Sequence, residues 1–138
     1  MKLSIKVQYA LQAVLTLALN YESGAVQIRD IARTQQIPIR FLEQLLLLMK
    51  KAGILASYRG VKGGYYLAKH PSEISLLNII ETLDGPIELK SKKMKKIPVL
   101  YDMMEAAESS LKGTLAGMTV EDLVIKKRQR DRAYVYNI

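Results

Sequence analysis

Between residues 54 and 68 the chain reads ILASYRGVKGGYYLA, two runs of apolar and aromatic residues around Gly60-Val61-Lys62-Gly63-Gly64. Strand formers on both sides of clustered glycines predict a β-hairpin over residues 54–59 and 65–68, because tight turns need a backbone that glycine adopts at low cost. A nucleotide-phosphate cradle requires a different pattern. GVKGGY lacks the spacing and the terminal Lys-Ser/Thr of a phosphate-binding loop, and it stands inside a hairpin instead of ahead of a helix.

Helical periodicity surrounds this hairpin. Ile5, Tyr9, Leu11, Ala13, Val14, Leu15, Leu17 and Ala18 form a broad apolar face, with Ser4 as N-cap, and the stretch containing Gly24 ends that helix. A short helix follows over residues 28–36 with Ile28, Ile31 and Ala32 inward. The next begins at once: Pro38 suits a first turn, Phe41, Leu42, Leu45, Leu46 and Met49 repeat helically, and Gly53 closes it. After the hairpin, residues 75–85 form another helix, capped by Ser75 and ended by Gly85. Residues 86–98 make a connection loaded with Lys92, Lys93, Lys95 and Lys96. Beyond it, Leu100, Met104, Ala107, Leu111 and Leu115 make a continuous stripe on a helix over 99–116. Thr119 and Asp122 resemble a capping box opening a last short helix over 120–127, and RQRDRAYVYNI reads as a tail.

Charge narrows the class of partner. Among 138 residues there are 21 Lys or Arg against 13 Asp or Glu, a net charge of +8. That balance points to a polyanion. The excess lies in the first 97 residues, and residues 98–138 are neutral by count. There is no cysteine, so disulfides, Cys–zinc sites, thiolate nucleophiles and Cys-ligated iron–sulfur clusters are excluded, and no metal or cofactor is expected. The single histidine, His70 beside Pro71, reads as a solvent-facing loop residue. With no convincing carboxylate pair, the chain lacks the usual acid–base equipment of an enzyme. Ser4, Lys6, Gln8 and Gln12 interrupt the N-terminal apolar stretch, which fits neither a signal core nor a membrane span. The expectation is a soluble, cytoplasmic protein with no membrane partner.

Two short helices joined by a tight turn, with Ala32 small and Ile37 apolar, fit a helix-turn-helix. Gln36 stands where glycine is favoured, so a left-handed conformation there costs on the order of 1 kcal/mol. An ordinary helical hairpin is the competing reading of this pair. The β-hairpin shifts the balance, because three helices followed by a two-stranded wing is the order of a winged-helix DNA-binding domain. A wing tip must lie close to phosphates or enter the minor groove, hence glycines, and it needs cations, here Arg59 and Lys62. A bare structural turn competes, but such a turn does not need three glycines flanked by cations.

The segments LEQLLLLMKKAGIL, RGVKGGYYLA and EISLLNIIETLDGP, with KLSIKVQYAL at the N-terminus, resemble the Rrf-two family of bacterial winged-helix regulators along the whole chain. Its cysteine-free members, the CymR-like cysteine-metabolism repressors, are the nearest in type. The resemblance implies a mainly α fold: a winged helix-turn-helix with a two-stranded wing over residues 1–85, a basic connection over 86–98, and a long C-terminal dimerisation helix, short helix and tail over 99–138. It implies a homodimer on double-stranded DNA with a palindromic operator. Pro38, Ile39, Arg40, Phe41, Glu43 and Gln44 fall at the start of the recognition helix, and Arg59 where the family's wing enters the minor groove. Arg29, Gly60, Lys62 and Gly63 complete the candidate DNA-contacting set. The chemistry agrees: Arg40 can donate to guanine or phosphate, Gln44 can pair with adenine, and Glu43 can accept from cytosine. Glu43 as an exposed helix partner of nearby lysines stands as the alternative, and Phe41 and Leu42 also read as core.

In the family the stripe Leu100, Met104, Ala107, Leu111 and Leu115 corresponds to the dimer seam; packing on the first helix is the other reading. Several relatives hold an iron–sulfur cluster on three cysteines in the connection, which here reads IELKSKKMKKIP and offers none. The CymR-like resemblance further implies a tail, Tyr136, Asn137 and Ile138, whose terminal carboxylate engages cysteine synthase; the alternative is a tail packed on the dimer. The function implied is a repressor of cysteine or sulfur metabolism. The alternatives are a winged-helix interaction module without an operator, and a regulator of the same family answering another signal.

Overall fold

A computed structural model describes residues 2–136. These form six α-helices and one two-stranded sheet: α1 Ile5–Leu19, α2 Ile28–Gln35, α3 Ile39–Lys51, β1 Leu55–Tyr58, β2 Gly64–Leu67, α4 Leu76–Asp84, α5 Pro98–Gly117 and α6 Val120–Tyr136. The chain is mainly helical and its order is that of a winged helix-turn-helix, as the residue pattern predicts. Val7, Ala10, Val14 and Leu17 of α1 meet Leu42, Leu45, Leu46 and Met49 of α3 and Ile79, Ile80 and Leu83 of α4 in one core. Burying each large side chain contributes about 2 kcal/mol.

Local chemistry sets the helix starts. Ser4 Oγ accepts from the Val7 amide at 3.2 Å and Ser75 Oγ from the Asn78 amide at 3.0 Å. At α6 the capping box is reciprocal: Thr119 Oγ1 accepts from the Asp122 amide at 3.1 Å, and the Thr119 amide donates to Asp122 Oδ2 at 2.9 Å. Pro38 stands one position outside α3 as its cap residue, with φ −57° and ψ 127°. Gln36 adopts the left-handed conformation, φ 55° and ψ 49°, and its amide closes on Ala32 O.

The hairpin pairs Leu55 with Leu67 and Tyr58 with Gly64 in antiparallel register. A third segment joins its edge. The Val26 amide donates to Tyr65 O at 2.9 Å and the Tyr65 amide to Val26 O at 2.8 Å.

The C-terminal region departs from the sequence expectation. α6 does not stop near residue 127 but runs to Tyr136, so the stretch read as a tail is helical up to that residue. Lys, Arg, Gln and Ala are strong helix formers, and Lys127 Nζ bonds Asp131 Oδ1 at 2.9 Å one turn on. Asn137 and Ile138 lie outside the described residues. Val120 and Val124 belong to the same core as α1, and the Val120 amide donates to Ile74 O at 2.9 Å.

The stripe on α5 is divided. Leu111 and Leu115 are half-buried, Met104 is half-buried, and Leu100 and Ala107 are exposed. The buried residue of α5 is a charged one, Glu108, at 5% exposure. Its Oε1 accepts from the Leu89 amide and its Oε2 from Lys90 Nζ, at 2.9 and 2.8 Å, which fastens the connection to α5. Hydrogen bonding to Lys90, then to the Leu89 amide, holds the Glu108 carboxyl below the usual carboxylate range, and the same bond raises Lys90.

Candidate nucleic-acid interface

α3 separates its two faces by periodicity. Leu42, Leu45, Leu46 and Met49 are buried, which turns Ile39, Arg40, Glu43 and Gln44 outward on the opposite side of the first turns. Pro38 is exposed just ahead of them. Phe41 lies between the faces, half-buried, with its ring edge-on to Tyr9 at 5.7 Å between centroids. It is thus a packing residue of the helix start, and Leu42 is fully buried.

The wing presents a second exposed feature. Val61 at the tip is 93% exposed, and Arg59, Gly60 and Lys62 around it are exposed as well. Gly63 is buried beneath the tip, so it shapes the turn from below. Each of the three glycines has a structural cause. Gly60 has φ 103° with open space around it. A Cβ on Gly63 would meet Tyr58 O at 2.6 Å. On Gly64, with φ 143°, it would meet Val26 O at 2.3 Å. The hairpin therefore does need all three, contrary to the expectation that a structural turn would not. The case for DNA at the wing rests on its cations and placement.

Gln27 joins wing and helices. It precedes α2 without capping it; instead its Nε2 donates to Val61 O at 3.0 Å across 34 positions of sequence. Lys50 Nζ donates to Ser57 Oγ at 2.6 Å, tying the end of α3 to β1. Tyr58 and Tyr66 stack at 4.6 Å between centroids, and side-chain hydrogen bonding with Tyr58, which favours the neutral phenol, raises Tyr66 above the ordinary tyrosine value. These contacts tie the wing tip to the start of α2 and β1 to the end of α3. Arg29, exposed at the start of α2, lies on the rim of the cleft between α2 and the wing, with Gly60 and Gly63 opposite. Among the described residues, none of Arg29, Arg40, Arg59 and Lys62 has a carboxylate within ion-pair distance, and Glu43 has no cation within that distance. The helical-partner reading of Glu43 thus finds no bond. His70 Nδ1 accepts from the Ser72 amide at 3.1 Å, a local turn role.

Gln27 and Val26 escaped the sequence reading. A polar residue that cannot cap, placed at a helix start, was the available signal for Gln27; Val26 is a single bridging residue with no periodicity to betray it.

The model of the Rrf2 family, described as an iron-dependent transcriptional regulator, matches residues 3–126. This chain belongs to the Rrf2 family. Among its Rrf2 relatives, the HTH-type transcriptional regulator CymR of Bacillus subtilis is 31% identical over 138 residues, all of both chains. A putative HTH-type regulator of Synechocystis is 44% identical over 88 residues, 64% of this chain and 60% of that protein. The solved structure of CymR, described as the global cysteine regulator of B. subtilis, superposes with a TM-score of 0.76 over 91% of this chain and 98% of its own, at 31% identity. That of T. potens IscR gives 0.75 over 92% and 88%, also at 31% identity. The chain is accordingly an Rrf2 helix-turn-helix transcriptional regulator, and its relatives are regulators, not enzymes. The sequence has no cysteine, and among the described residues there is no group of three or more His, Cys, Asp or Glu that could hold a metal ion. The residues present do not fit a cysteine-ligated cluster. Among the described residues no helix is long and apolar enough to cross a membrane.

Proposed function

We propose that this Rrf2 regulator is a cytoplasmic homodimer that represses transcription by binding a palindromic operator, without an iron–sulfur cofactor. The observation that carries this reading is the joint exposure of Ile39, Arg40, Glu43 and Gln44 on α3 with Arg59 and Lys62 on a wing that Gln27 ties to the start of α2 and Lys50 ties to the end of α3. The first turns of α3 enter the major groove, where Arg40 reads guanine or holds phosphate, Gln44 pairs with adenine and Glu43 accepts from cytosine. Arg59 follows the negative potential of the minor groove, and Lys62 contacts phosphate. Pro38 and Ile39 set the entry angle of the helix.

Dimerisation is supported by apolar surface that one chain leaves open. Ile97, Val99, Leu100 and Met103 are exposed at the start of α5, Val99 by 72% and Met103 by 69%. With Met104 and Ala107 they form a self-complementary seam across a two-fold axis, and Leu111 and Leu115 brace α5 on its own domain. Two-fold symmetry in the protein demands inverted half-sites about one helical turn apart. Occupancy of such a site blocks the polymerase, hence repression.

Cysteine supply is the process under control. The end-to-end alignment with CymR supports it, and Tyr136, Asn137 and Ile138 are the segment that cysteine synthase engages. Selection of bound duplexes from a random pool tests the reading: an inverted repeat is expected, and a pool without enrichment refutes it. Deleting Asn137 and Ile138 is expected to abolish binding to cysteine synthase; unchanged binding eliminates the tail contact.

A further inference from the structure

The second half of α6 carries Lys126, Lys127, Arg128, Arg130 and Arg132, all exposed. At about 100° per residue they fall on different faces. Lys127 is engaged by Asp131 at 2.9 Å. Lys126 and Arg130 point away from the side that Val124 buries. Arg128 and Arg132, one turn apart, share a face with Glu121 and Ile125.

That face borders a cleft of about 290 Å³ whose other wall includes Tyr21, Glu22 and Ser23, just after α1. Ser23 also borders the adjoining cleft, lined by Arg29 and by Lys62 of the wing turn, with Asp30, paired to Arg33, beside them. A path of cations therefore runs from Lys62 and Arg29 past Ser23 to Arg128 and on to Arg132. Glu22 and Glu121 border the first cleft, but among the described residues no carboxylate lies within ion-pair distance of Arg128 or Arg132. Both guanidinium groups are open to a polyanion.

We propose that Arg128 and Arg132 extend the DNA interface, holding backbone phosphates that flank the segment read by α3 and the wing. The proposal rests on the DNA-binding reading above. Two features select the duplex as the occupant: charge complementarity between phosphate and an arginine pair spaced i, i+4, and continuity with the exposed cations of the wing. The contact reads no base, so it lengthens the footprint without changing the recognised sequence.

The test uses the full chain carrying Arg128→Gln and Arg132→Gln, titrated by fluorescence anisotropy onto a selected operator with and without flanking duplex at several salt concentrations. The slope of log K against log salt is expected to fall by about 1.8 per subunit, the equivalent of two phosphate contacts. Trimming the flanks is expected to weaken the wild type and leave the double variant unchanged. The Lys126→Gln/Arg130→Gln control, on the opposite face, is expected to keep the wild-type flank dependence. Circular dichroism melts confirm that each variant is folded. Equal slopes and equal flank dependence for wild type and the Arg128/Arg132 variant overturn the proposal, including the case in which the pair binds an acidic protein surface instead. A wild type that shows no operator preference overturns the DNA reading itself, and this one with it.

Discussion

Gly64→Ala is expected to loosen the wing from the domain. A Cβ at this position would lie 2.3 Å from Val26 O, 2.5 Å from Val26 C and 2.9 Å from Gln27 N. All three are backbone atoms, so no side chain can swing aside. Relief requires separating Val26 from Tyr65, whose two hydrogen bonds measure 2.9 and 2.8 Å. Losing them costs about 1 kcal/mol each. Holding a non-glycine residue at φ 143° costs about 1–3 kcal/mol more. The sum, about 3–5 kcal/mol, corresponds to a fall in melting temperature on the order of 10–20 °C for a domain of this size. Thermal denaturation followed by circular dichroism reads it directly. Gly60→Ala is the internal control: with φ 103° and nothing within 4 Å, it is expected to lose only the conformational part, about 1–3 kcal/mol. A Gly64→Ala protein that melts with the wild type would refute the close approach of wing and Val26, and with it the rigid placement of the tip.

Met103→Asp places a charge on an open part of the proposed α5 seam and is expected to weaken the dimer by tenfold or more with the monomer fold intact; an unchanged mass in sedimentation equilibrium counts against the seam. Glu108→Gln removes the buried carboxylate that clamps the connection. Because the Glu108 carboxyl is held low in the folded protein, its stabilisation is complete above the unfolded value and disappears as pH falls through the folded one. The melting temperature of the wild type should thus exceed that of Glu108→Gln at pH 7, and the gap should close below about pH 4. A gap of the same size at both pH values would show that the ion pair is not its source. Lys90 contributes in the opposite sense: its raised value maintains the pair at neutral pH and is lost only as strongly alkaline pH passes through it.

Much of the fold was legible because local chemistry and global packing agree. Ser4 and Ser75 cap where their hydroxyls suggest, Gly85 follows α4, and the alternation of Leu42, Leu45, Leu46 and Met49 with Arg40, Glu43 and Gln44 divides α3 into core and exposed faces. Gln36 takes the left-handed turn despite its side chain, since the packing of α2 on α3 outweighs about 1 kcal/mol of strain. The rest was hidden for definable reasons. Periodicity detects buried faces, and residues 126–135 are exposed on every side, so α6 looked shorter than it is. Glu108 sits within an apolar stripe, and its burial depends on Lys90 and the Leu89 amide, partners 18 and 19 residues away. The glycines of the wing were read for what they offer DNA, whereas Gly63 and Gly64 answer to contacts inside the chain.

The most direct measurement is the affinity of the wild type and Arg59→Ala for a selected operator and for a scrambled duplex, across salt from about 50 to 200 mM. The wild type is expected to prefer the operator by roughly 10³-fold or more. Arg59→Ala is expected to weaken binding and to flatten the salt slope by about 0.9 per subunit. Equal affinity of the wild type for both duplexes, or an Arg59→Ala protein that keeps both affinity and slope, would contradict operator recognition through α3 and the wing.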